Sequence, residues 1–145
     1  MKSLKRKFKK LINKIGQYLV IKSKPDSPFS ENPIASEEEY LNLAKKARSK
    51  VYEEIDAYEL QTGFSIDKDW FHDLALHTQV TKKKTEPEYV HGRVLYSSLR
   101  AYLKNQELSK KDRVTIVETG TARGFSALCM AKALEDSNSS GSILT

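Results

Sequence analysis

From about residue 36 to residue 104 the apolar positions repeat every three or four residues. Past residue 113 the pattern changes to short β-branched runs around a glycine turn. The first pattern predicts amphipathic helices and the second predicts strands. Ser36 with Glu39 three residues on forms a capping box, and Glu37, Glu38 and Glu39 sit where the helix dipole favours acids. From there Tyr40, Ala44, Ala47, Val51, Ile55 and Tyr58 continue one apolar face, and Gly63 is the expected stop. A shorter helix is expected to start at Asp67 or Asp69 and to carry Trp70, Phe71, Leu74 and Ala75. Thr78–Glu88, with three consecutive lysines and Pro87, reads as a loop. Val90, Val94, Leu95, Leu99, Tyr102 and Leu103 then predict a helix from about Glu88 to Lys104, joined by the polar Asn105–Asp112 to the β-branched run.

The first 35 residues differ from the rest. Leu4, Phe8, Leu11, Ile12, Ile15 and Leu19 recur at helical spacing, and lysines fill the other faces, which predicts a basic amphipathic helix over 3–21. Such a helix either rests on anionic lipid or packs on its own domain or a partner. Residues 22–35 hold three of the four prolines and read as a linker. The chain thus divides into a basic amphipathic segment (1–24), a linker (25–35), a helical cap region (36–112) and an α/β region (113–145).

Charge changes the picture only when it is located. The net charge is +6, but nine of the 25 basic residues lie in 1–24 with no acid among them; the other 16 face 19 acids, a net of −3. The basic balance belongs to the first segment, so nucleic acid is not an expected partner of the folded body. The run Tyr18–Ile21 is far shorter than the roughly 20 residues that span a bilayer, and shorter than a secretory core of about 7–15. A single cysteine, Cys129, forms no internal disulfide; together these features suit the cytoplasm, with residues 1–24 a candidate for peripheral contact at the inner membrane surface.

The chemistry lies in Arg113–Leu134, RVTIVETGTARGFSALCMAKAL. Val114, Ile116 and Val117 suit a buried parallel strand. Glu118 and Gly120 follow its end, Gly124 comes four residues later, and Phe125, Leu128, Cys129, Ala131, Ala133 and Leu134 form a small-residue helix. Gly141–Thr145 reads as the opening of a second parallel strand. Strand, glycine turn and helix make the first unit of a doubly wound sheet, where ligands sit beyond the carboxyl ends of the strands. Gly120 permits a sharp turn and a close ligand; Gly124 is expected to let helix and strand approach. The amides of Thr121–Ser126 favour an anionic group, and Glu118 suits a cationic or hydroxyl-bearing one. A ligand with an amino-acid end and a nucleoside end matches both.

The stretch VETGTARGFSAL resembles the E-x-G-x-x-x-G-x-S motif of class I S-adenosylmethionine-dependent methyltransferases, nearest to small-molecule O-methyltransferases of the catechol type and the macrocin O-methyltransferase-like group. The likeness covers about residues 70–145. It implies an α/β protein with an N-terminal helical cap followed by the first βαβ unit of a Rossmann-like sheet, truncated after the second strand. It also implies methyl transfer to a small-molecule acceptor, most simply a hydroxyl, with S-adenosylmethionine as cofactor. By motif position, Glu118 and Gly120 would hold the methionine end, Thr121 and Ala122 would line the turn, Gly124 would keep it tight, and Ser126 would donate to the methionine carboxylate or a water on it. Val80 and Thr81, before the preceding helix, are weaker cofactor contacts. The family's ribose-binding acid, any metal-binding acids and the acceptor pocket would lie beyond Thr145, so the chain read as an N-terminal fragment is expected to show no turnover alone.

Two other functions stay open. One is a nucleotide-binding oxidoreductase fragment, although G-T-A-R-G lacks the second glycine of G-x-G-x-x-G. The other is a non-catalytic membrane-surface or adaptor module built on residues 1–62. No metal site is expected: His72 and His77 are five apart, not one helical turn. His91 beside Gly92 is either a helix-start residue or a proton-transfer group facing the cleft. Cys129 reads as a small buried hydrophobe, Trp70 and Phe71 as core anchors, and Lys82–Lys84 as a solvated loop.

Overall fold

Sequence order and cap chemistry set the elements. In the computed structural model, which describes residues 27–30, 33–106 and 113–145, the order is α1 (Glu37–Arg48), α2 (Glu53–Thr62), α3 (Lys68–Thr78), α4 (His91–Asn105), β1 (Arg113–Val117), α5 (Phe125–Asp136) and β2 (Ser140–Leu144). The basic helix expected over 3–21 lies outside the described residues. Helix α1 starts with the expected box: Ser36 Oγ accepts from Glu39 N at 3.2 Å, and Glu39 Oε2 accepts from Ser36 N at 3.1 Å. Asp67 is the cap of α3, accepting from Trp70 N at 2.7 Å, and Gly63 ends α2 in the left-handed conformation, φ 75°.

The single helix expected from Ser36 to Gly63 is two. It breaks at Ser49–Tyr52, where Tyr52 has φ −131° and ψ 81°. The break directs Lys50 and the Tyr52 hydroxyl to Glu88, on the segment before α4, and leaves Val51 75% exposed. Val51 is therefore not part of the apolar face its spacing gave it. Helix α4 also starts three residues later than expected, at His91, without a side-chain cap.

The core joins the helices to the α/β region. Ala47, Ile66, Phe71, Ala75, Tyr89, Tyr96, Phe125, Cys129 and Ala133 form one buried cluster. Helix α4 lies along α5, and Gly92 makes that approach possible: a Cβ there would stand 2.7 Å from the Phe125 ring and 2.8 Å from Cys129 Sγ. Close packing was expected of Gly124 instead. A Cβ at Gly124 would meet nothing within 4 Å, and its glycine is explained by a φ of +79°.

Strands β1 and β2 pair in parallel, from Arg113 with Ser140 to Val117 with Leu144, with α5 as the crossover. The α/β class thus holds, as a mixed structure with a two-stranded parallel sheet. The expectation of a buried β1 is corrected. Val114 and Ile116 are half-buried on one face, while Arg113, Thr115 and Val117 are exposed on the other, because among the described residues no element covers that face. No helix among the described residues is long and apolar enough to cross a membrane.

Candidate functional site

The tip of β1 is where regular pairing ends. Glu118 N donates to Leu144 O at 2.8 Å, the last ladder bond, and the chain then turns through Gly120 at φ 83°, Ala122 at φ 49° and Gly124 at φ 79°. Gly124 N donates to Thr121 O at 2.7 Å and closes the turn. Glycine adopts such angles freely, but for Ala122 the left-handed region costs about 1–2 kcal/mol. Strain of this kind is commonly retained at ligand-binding positions. Gly124 caps α5 without a side-chain hydrogen bond, so among the described residues the amides of its first turn, including those of Phe125 and Ser126, have no side-chain partner.

Glu118 faces that first turn. Ser126 Oγ donates to Glu118 Oε1 in a short contact, which fixes the carboxylate against the start of α5. Its other oxygen, Oε2, is shut off from solvent and accepts no hydrogen bond among the described residues. A buried carboxylate oxygen without a donor carries a desolvation penalty that a ligand's N–H or O–H would relieve. Glu118, Gly120, Thr121, Ala122, Gly124 and Ser126 are thus brought together at one strand end. Ser126, expected to donate to a ligand carboxylate or a water on it, directs its hydroxyl proton to Glu118 in this structure.

Thr81 is 5% exposed and Val80 is fully buried, in the segment that leaves α3. Among the described residues no hydrogen bond joins Thr81 to the turn. The link between helical layer and turn is instead Phe125, first residue of α5, 2% exposed and ringed by Phe71 at 5.6 Å, Tyr89 at 6.0 Å and His91 at 5.2 Å between centroids. His91 packs edge-on to this ring, and burial holds its imidazole below the ordinary range.

No family model matches the chain, and neither a curated protein nor a solved structure matches it.

The remaining titratable groups divide between α5 and the helical layer. Burial raises the Cys129 thiol to about 12, so it stays protonated and unreactive at neutral pH. His72 Nδ1 lies 2.9 Å from the Tyr89 hydroxyl, and burial, with Arg48 and Arg93 nearby, lowers its pKa. Burial pushes the Tyr89 phenol up to about 12. His77 stacks on Phe29 with ring centroids 4.4 Å apart. Among the described residues no group of acids, histidines and cysteine is placed to hold a metal ion. Lys82 is paired with Glu39 at 2.7 Å rather than simply solvated, a contact between residues 43 apart that leaves no local signal. Gly92 had a visible one: glycine inside an amphipathic helix implies close approach of a neighbour.

Proposed function

We propose that the turn at the end of β1 binds S-adenosylmethionine, as in a Rossmann-like class I methyltransferase, in support of methyl transfer to a small-molecule hydroxyl. The observation that carries the reading is the Glu118 carboxylate, bonded through Oε1 to the first turn of α5 while its buried Oε2 lacks a donor. An α-amino group is a cationic donor of the kind that oxygen lacks, and charge-assisted bonds of this sort contribute about 1.5–3 kcal/mol. The uncapped amides at the start of α5 favour the carboxylate of the same amino acid. Gly120 and Gly124 leave open space where a Cβ would project, so a ligand can approach the backbone. When bound, the cofactor supplies an electrophilic methyl group on a sulfonium. The part of Glu118, Ser126 and the α5 amides is to fix its amino-acid end and so orient it.

Isothermal titration of the full chain with S-adenosylmethionine and, separately, with NADH tests this. Saturable binding of the first and none of the second is expected. NADH binding in its place would favour the oxidoreductase reading, and binding of neither would remove both.

A further inference from the structure

The helical layer has a cavity of its own, about 230 Å³, between α1, α2, α3 and the segment before α4. Its residues and chemistry are separate from the glycine turn. We propose that it binds a small aromatic anion, a single ring bearing a carboxylate, independently of the methyl-donor site.

Size comes first. Pockets for drug-sized ligands run from about 300 to 1,000 Å³, so this one suits a single ring. Its floor is apolar: Ile66 and Phe71 are buried, and Pro87 and Tyr89 close one side. Four cations line it, Arg48, Lys50, Lys68 and Arg93, against one carboxylate, Asp56. The acids Asp69, Glu59, Glu86 and Glu88 lie outside the lining but pair with Arg48, Arg93 and Lys50, so the cation left for a ligand is chiefly Lys68. Arg93 is engaged by Asp56 and Glu59. Arg48 bonds Asp69 through Nη2, which leaves its other N–H groups for a ligand, and Lys68 forms no ion pair among the described residues. Burial chiefly holds the His72 pKa below its ordinary value, and Arg48, Arg93 and Lys68 act in the same direction against Asp69. The His72–Tyr89 pair adds a neutral donor and acceptor on the wall. A flat apolar body with one negative end satisfies floor and rim together, whereas a neutral ring leaves Lys68 without an ion-pair partner among the described residues.

The test is a ¹H–¹⁵N NMR titration of the full chain with benzoate, and with benzamide as its uncharged counterpart. Benzoate should bind saturably with Kd of order 1 mM, as expected for so small a ligand, with shifts centred on Arg48, Lys68, His72 and Tyr89. Benzamide should bind at least about fivefold more weakly. Lys68→Gln and Arg48→Gln should each weaken benzoate about three- to tenfold with the amide spectrum otherwise unchanged. Lys68 is exposed, so its variant is expected to fold. Equal binding of the two probes, unchanged benzoate affinity in both variants, shifts centred on Gly120–Ser126, or no saturable shift would each overturn the proposal. S-adenosylmethionine binding plays no part in the readout, so failure here leaves the reading of the glycine turn standing, and the reverse.

Discussion

The helical layer and the tip of β1 treat their carboxylates in opposite ways. In the helices, the carboxylates turned towards the protein are matched. Glu59 is 8% exposed and takes two bonds from Arg93, at 2.9 Å from Nε and 2.5 Å from Nη2. Asp136 accepts from Tyr96 at 2.7 Å and pairs with Lys132 at 2.9 Å. A neutral Tyr40 hydroxyl and the Nε of Arg100 are buried there without partners, but among the described residues of the helices no carboxylate oxygen is. At the strand tip the Glu118 Oε2 is buried and unmatched, beside a helix start with no side-chain cap and an alanine in the left-handed region. Satisfied polar groups belong to a framework, while a buried polar atom left unmatched at a strand end asks for an explanation, which the proposed ligand would supply once the turn opens to admit it.

The largest effect should come from breaking the matched side. Arg93→Met leaves Glu59 buried with no cation, and loss of about 3–5 kcal/mol is expected, read as a lower urea midpoint. Adding Glu59→Leu should recover most of it, because an apolar pair of similar volume replaces a buried ion pair with little loss.

Two glycines sharpen the contrast. Gly92→Ala forces a methyl into the Phe125 ring and Cys129 Sγ and should cost about 1–3 kcal/mol by overpacking. Gly124→Ala meets open space and should cost only about 1–2 kcal/mol, from backbone strain at φ +79°. Thermal unfolding of both gives the order, and only the Gly92 variant should disturb near-ultraviolet signals of the aromatic core.

A smaller effect is expected from pH. His72 has a folded pKa lowered from 6.5, chiefly by burial, and His91 shifts the same way. The unfolded chain therefore takes up protons more readily. Stability is complete above pH 6.5 and falls as pH drops through it toward the folded values. Glu88, lowered from 4.5 first by the Tyr52 hydroxyl, adds a further loss below that value. Urea midpoints measured across this range should show the decline, and His72→Gln should flatten its upper part.

These contrasts also explain what was legible beforehand. Local rules placed Ser36 and Gly63 as cap and stop and narrowed the next cap to Asp67 or Asp69, because each acts on residues within one turn. The β-branched run, the acid and the glycines located β1 and its turn for the same reason. The break at Ser49–Tyr52 was hidden, since Val51 and Ile55 keep the helical period while Tyr52 is held by Glu88, 36 residues away. The Arg93–Glu59 pair, 34 residues apart, and the helical cavity depend likewise on contacts that no short window contains. Gly124 was placed correctly and explained wrongly, because a glycine needed for positive φ and one needed for close approach look alike in sequence. The Ser126–Glu118 bond joins two residues eight apart across a turn whose shape had to be seen first.

The smallest change to the framework should have the largest effect on binding. Glu118→Gln keeps an oxygen for Ser126 and replaces only the unmatched Oε2, so the melting temperature should move little. Titrating S-adenosylmethionine into the wild-type chain and this variant is the direct measurement. A loss of affinity of about ten- to a hundredfold, matching about 1.5–3 kcal/mol, is the predicted result; equal affinity for both proteins would contradict the role given to Glu118.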